Sequence, residues 1–255
     1  MRNFLLVNDD GIGAAGLAAL ADALKGLGTL FVCAPDSQQS GRSHAISLTN
    51  EVEIKEVSYC GAEAAWAVGG TPVDCTKAGI QFCRERGIDI DMVFSGVNLG
   101  SNLGADTLYS GTVGAASEAV LMGSRGMALS VNGHRATHFE NPISIALELI
   151  DRAIDELPRT TVLSINAPDV PAEEIKGVLV CRLGGRYFDD KFVEQESGKY
   201  KIHGLLPDYR GPENDIDIVA NSNGYATITP LRFDYTDYSV LEKVGAWDIA
   251  FRGKR

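Results

Sequence analysis

Two aspartates side by side, Asp9 and Asp10, close the run "FLLVNDD" and stand directly before a glycine. Adjacent carboxylates at the end of an apolar strand repel each other and lose solvation, and a divalent cation relieves both penalties. One aspartate there reads as a helix cap; two together, beside Asn8, read as cation ligands. The next six residues, Gly11-Ile12-Gly13-Ala14-Ala15-Gly16, spell the G-x-G-x-x-G dinucleotide fingerprint, and Asp36 lies where a ribose-binding acid would be sought. Charge argues against that reading. A pyrophosphate at this position would meet both carboxylates, each like-charge pair costing on the order of 4 kcal/mol at ~4 Å and an effective dielectric of about 20. The glycines read better as a tight strand-to-helix turn.

Two further polar clusters follow apolar runs. "APDSQQSGRSHAISLT" (34–49) contains Ser40-Gly41, and "GVNLGSNLGADTLYSGTVGAASEA" (96–119) contains Asn98 and is dense in Gly, Asn and Ser. Loops that follow strands of a doubly wound sheet share its carboxyl edge, where ligands bind. Asp9, Asp10, Ser40 and Asn98 are all oxygen donors, a set suited to a hard cation such as Mg²⁺ or Mn²⁺ rather than zinc or copper. Ser110, Gly111 and Thr112 open a helix whose first N–H groups point at an incoming anion. Alone, that triplet is a plain N-cap; on the same edge as a cation site it is a phosphate cradle. His44 is within reach of this edge, whereas His134, His138 and His203 read as surface or packing residues. No G-x-S-x-G elbow, H-E-x-x-H pair or Walker A lysine occurs.

The elements that must hold these residues follow from periodicity. Buried strands are expected at 3–7, 29–34, 91–97, 126–131 and 161–166, and helices at 16–28, 71–86, 112–123 and around 142–157. Thr71 caps the second helix and Pro72 occupies its first turn. Near-continuous apolar strands alternating with helices predict an α/β fold, a mostly parallel sheet covered on both faces. Beyond Ile175 the pattern changes to that of an antiparallel ribbon, with turns at Gly198 and Asn223-Gly224. Such a ribbon does not readily join a parallel core and is marginal alone. It is read as an extension used in subunit contact. The expected division is a catalytic core over 1–175, a β-rich region over 176–235 and a helical segment over 236–255.

Composition sets limits. The 255 residues carry 23 Lys and Arg against 34 Asp and Glu, a net charge of −11 that argues against a nucleic-acid polymer as partner. Five scattered cysteines without a C-x-x-C pair suggest reduced thiols, and no run is long enough for a signal peptide or a membrane span. A cytoplasmic protein with no membrane partner is the expectation.

"NDDG" (8–11), "APDSQQSG" (34–41), "GTPVDC" (70–75), "SGVNLGSNLGADTLYSGTVGAASEA" (95–119) and "GYATITPL" (224–231) together resemble the SurE family of survival proteins, in the same order along nearly the whole chain. The resemblance implies a Rossmann-like three-layer core and a C-terminal extension that makes dimers or tetramers. It implies metal-dependent hydrolysis of nucleoside 5′-monophosphates, with 3′-nucleotides and short polyphosphate as further substrates. Position by position, it puts one divalent cation per subunit on Asp9, Asp10, Ser40 and Asn98. It puts phosphate contacts on Asn102, Ser110, Gly111 and Thr112, and catalysis on Asp9 and Asp10. Ala15 stands where the family commonly has proline, and Ala119 where it usually has glycine; neither is a proposed ligand. Two other readings remain open: a sensor that binds nucleotides without turnover, and a nicotinamide-dependent oxidoreductase. Trp66 and Tyr187 are candidates to stack on a base, although either is more often simple packing.

Overall fold

The computed structural model describes residues 2–185, 189–205 and 207–247. Strand β1 (Asn3–Val7) shows why the apolar runs are unbroken rather than alternating. Phe4 and Leu6 face one side of the sheet and Leu5 and Val7 the other, and all four are fully buried. On the Phe4 side lie α1 (Ala15–Leu24) and α4 (Glu140–Asp155), contributing Leu17, Leu20, Ile143 and Ile150. On the Leu5 side lie α2 (Pro72–Glu85) and α3 (Gly111–Leu121), contributing Cys75, Ile80 and Ala115. A strand with helices on both faces has no solvated side to be polar.

Strands β2 (Thr29–Pro35), β3 (Ile54–Val57), β4 (Ala64–Val68), β5 (Met92–Leu99), β6 (Gly126–Val131), β7 (Val162–Ala167), β8 (Val178–Val180) and β11 (Ala226–Leu231) complete the sheet. Among the described residues its order is β3-β4-β2-β1-β5-β6-β7-β11-β8. The six strands from β4 to β7 run parallel, β3 and β11 join antiparallel to their inner neighbours, and β8 runs parallel to β11. The chain leaves β1 toward β2 on one side while β5 pairs on the other, so a crevice opens beyond Val7 at their carboxyl ends.

Helix α2 starts as its sequence predicts. Thr71 Oγ1 accepts from the Asp74 N–H, and Asp74 Oδ2 accepts from the Thr71 N–H, with Pro72 in the first turn. The region after Ile175 corrects the sequence reading. Among the described residues only β9 (Asp189–Glu194) and β10 (Tyr200–Leu205) form a separate antiparallel hairpin, around the turn at Gly198. Asn223-Gly224 does not turn a second ribbon. It ends the short helix α5 (Asp217–Ser222), and the following β11 enters the core sheet. The ribbon was expected to stay outside because parallel cores resist antiparallel additions, but β7 still had an unpaired edge that one antiparallel strand could satisfy. A last helix, α6 (Tyr238–Gly245), buries none of its residues.

Candidate active site

The turn after β1 is built to present Asp9 and Asp10. Asn8 is buried and brackets the turn: its Nδ2 donates to Gly11 O at 2.8 Å, and its Oδ1 accepts from Gly11 N at 3.2 Å. Gly11 has φ +102, a conformation that favours glycine. A Cβ on Gly16 would stand 2.2 Å from Val97 O, so that glycine lets α1 lie against β5. Helix α1 has Ala14 at its N-cap and no side-chain cap, so neither aspartate caps it. Two of the three fingerprint glycines, Gly11 and Gly16, thus have structural work, and the carboxylates are left for something else.

Asp9 is 4% exposed. Its Oδ1 accepts from Thr112 Oγ1 at 2.6 Å. Burial above all, with Asp10 adding repulsion, pushes its carboxyl up to about 6 despite the Thr112 hydroxyl. Asp10 is half-buried and also raised by burial, against donors from Leu99 N and Gln38 Nε2, both at 3.3 Å. The same Gln38 Nε2 donates to Ser40 Oγ at 3.1 Å. One NH₂ therefore bridges Asp10 and Ser40. Asn98, near the end of β5, donates its Nδ2 to Gly100 O at 2.8 Å, so Oδ1 is the amide atom that a cation would use.

Asp9, Ser40 and Asn98 line one cavity of about 900 Å³, and Asp10 stands at its edge bonded to the lining residues Gln38 and Leu99. Two raised carboxylates, a hydroxyl and an amide carbonyl fit a hard divalent cation. Among the described residues, no three His, Cys, Asp or Glu gather into a site of the zinc type.

The predicted phosphate residues lie on the same cavity in unequal ways. Ser110 lines it, but its Oγ accepts from Val113 N at 3.1 Å, the N-cap role that the bland reading assigned it. The Gly111 N–H precedes the intrahelical ladder at the tip of α3, whereas the Thr112 N–H, like its hydroxyl, is turned to the Asp9 carboxylate. Gly111 packs so closely that a Cβ there would lie 3.0 Å from Asp9 Cβ, which brings the helix tip onto Asp9. Asn102 reaches the cavity wall, yet its Nδ2 donates to Ser130 Oγ and its N–H to Asn166 Oδ1, so it braces the loop.

With this geometry in place, the chain was compared with known proteins. The family model for "Survival protein SurE" matches residues 4–190. The chain belongs to the SurE family. Relatives named 5′-nucleotidase SurE include one from Syntrophomonas wolfei, 38% identical over 94% of this chain and 92% of that one, and one from Geobacter sulfurreducens, 39% identical over 97% and 94%. The crystal structure of the SurE protein from Aquifex aeolicus superposes with a TM-score of 0.82 at 35% identity, covering 95% of this chain and 98% of that one.

In this SurE chain several residues at the site carried no clear sequence signal. Gln38 is one polar residue among many in its loop, and only its two bonds give it a role. Glu118 is buried on α3, where His44 Nε2 (2.8 Å) and Lys77 Nζ (2.6 Å) both reach it. These two hold its carboxyl below the usual range, His44 most strongly, and they tie the 36–49 loop to α2 and α3. A lone acid in the small, apolar run "GAASEA" was the available clue. His44 therefore serves the loop. Trp66 is 4% exposed, packs on Phe82 beneath Arg86 and takes no part in the cavity, while Tyr187 lies outside the described residues. Cys33, Cys75, Cys83 and Cys181 are buried and all five cysteines are free; burial pushes the Cys83 thiol up to about 12, so it is no nucleophile.

Proposed function

We propose that this chain is a divalent-metal-dependent phosphatase that hydrolyses nucleoside 5′-monophosphates to nucleoside and phosphate. The observation that carries this reading is the contact of the α3 tip with Asp9, the first carboxylate of the acidic pair, sealed by the Thr112–Asp9 hydrogen bond. An anion cradle pressed against Asp9, with the Asp10 carboxylate beside it, is repulsive for phosphate unless a cation is shared between them. Four oxygen ligands would hold that cation: Asp9, Asp10, Ser40 and Asn98. The chemistry a divalent ion supplies at such a donor set is neutralisation of phosphate charge and acidification of a water. The chain's own groups do the rest. The Gly111 N–H and the positive end of α3 orient the phosphoryl oxygens and favour the charge that develops as the ester bond breaks, while the Thr112 N–H holds Asp9. Thr112 Oγ1 fixes the rotamer of Asp9, and Gln38 aligns Asp10 with Ser40. Asp9 or Asp10 takes the proton of the attacking water.

The relatives named 5′-nucleotidase support the substrate class; 3′-nucleotides and short polyphosphate are proposed as further substrates. We place one cation per subunit, Mg²⁺ or Mn²⁺, and a homodimer or homotetramer built through the C-terminal extension. The test is phosphate release from AMP and GMP with Mn²⁺, with Mg²⁺ and with EDTA. Release is expected with a cation and is lost with chelator. Tight AMP binding without phosphate over hours would assign a sensor instead, and release indifferent to EDTA would remove the cation from the account.

A further inference from the structure

A phosphate group fills a small part of a 900 Å³ cavity, and the rest of the wall has its own character. Away from Asp9 and Ser110 its apolar lining is Leu99 and Tyr109 together with Phe192 and Ile202 from the β9–β10 hairpin, set among polar groups that include Asn132, His134 and Asp190. Phe192 and Ile202 are paired directly across the two strands, so their side chains share one face of the ribbon, and that face is turned to the cavity. Tyr109, Phe192 and Ile202 are all more than half exposed. Exposed apolar groups on one concave wall are expensive to leave in water and mark a place where an apolar body lies.

The hairpin is held against the site at its root. Asp217, fully buried at the start of α5, accepts from Gly104 N at 2.8 Å with one oxygen and from Gly184 N at 2.7 Å with the other. Ala105 N donates to Gly185 O at 2.8 Å, and a Cβ on Gly104 would stand 2.3 Å from that same oxygen. The chain entering the hairpin is thereby docked on the loop that carries Asn102 and Ser110.

We infer that Phe192, with Ile202 and Tyr109 beside it, is a specificity-determining residue that stacks on the base of the nucleotide. This rests on the nucleotidase reading and adds its second half: the phosphate binds at the α3 tip and the base under the hairpin. Every base presents a π-face, so the wall selects for the presence of a base rather than for one base.

The experiment compares AMP with ribose 5-phosphate, which keeps the ester and lacks the base, on wild type, Phe192→Ala and Phe192→Tyr. In Phe192→Ala the KM for AMP is expected to rise about tenfold, with the loss in KM rather than kcat, and the preference for AMP over ribose 5-phosphate to fall by the same factor. Phe192→Tyr, which keeps a ring, restores both. Wild-type turnover of AMP with an unchanged KM in Phe192→Ala would overturn the stacking role and leave the nucleotidase reading intact. So would an equal rise for the two substrates, or a change in oligomeric mass with no change in preference. A wild type that releases phosphate from neither substrate would overturn the nucleotidase reading and this inference with it.

Discussion

Asp9 and Thr112 lie 103 positions apart in the chain and share a 2.6 Å hydrogen bond. At the scale of residues the account rests on pairs of that kind, each bringing a loop to its place by one polar contact. Glu118 is the clearest to test, because its charge does the holding. With His44 and Lys77 on its two oxygens, its folded pKa lies below the ordinary 4.5. Its contribution to stability is therefore full above 4.5 and is lost as pH falls through the folded value. Its partners are more than a third exposed, which screens the pair and limits the worth of the contact to about 1–2 kcal/mol. Urea unfolding at pH 7 is expected to show Glu118→Gln less stable by that amount, with the gap to wild type closing toward pH 3.5. A gap that stays constant across this range would remove the ionic role. The acidic pair itself was legible in the sequence, since two adjacent carboxylates after an apolar run have few other uses. Gln38 and Glu118 were not, because a side chain's partner depends on what other loops bring to it.

Elements were legible where local chemistry set them. Thr71-Pro72-Val73-Asp74 announces the start of α2, and the unbroken apolar β1 announces a sheet covered on both faces. The 214–231 segment was misread because α5 spans only six residues, too few for a helical period to show, and because β11 is placed by pairing with the distant β7. Asp217 belongs to this misread segment, and its role is that of an element-scale clasp. Burial raises its carboxyl, and the N–H groups of Gly104, Gly184 and Ile218 work against that rise. Asp217→Asn turns one acceptor into a donor facing an N–H group. The expected cost is about 2–3 kcal/mol of unfolding free energy, read from the urea midpoint. A second sign is a raised KM for AMP, as the hairpin root leaves the 100–110 loop. A stable variant with wild-type KM would show that hairpin and loop hold their places without the clasp.

At the scale of the whole molecule, the net charge of −11 and the crevice between β1 and β5 agree with a small anionic substrate brought in with a cation. The described part of the chain has no helix long and apolar enough to cross a membrane. Helix α6 leaves Tyr238, Val240 and Leu241 exposed, with Trp247 just beyond its end, a face that a second copy would cover. Light scattering is expected to give an integral multiple of the chain mass for wild type and a lower multiple for Leu241→Asp; a wild-type monomer would contradict the proposed assembly. The central claim is that the carboxylate pair after β1 holds the cation on which phosphate release depends. The most direct test titrates Mn²⁺ into wild type and Asp10→Asn by calorimetry, with phosphate release from AMP followed on the same samples. The account predicts Mn²⁺ affinity weaker by at least about 100-fold in the variant, more than loss of a mere outer-shell partner costs, and release that falls with it. Equal Mn²⁺ affinity in the two proteins, or full activity in Asp10→Asn, would contradict it.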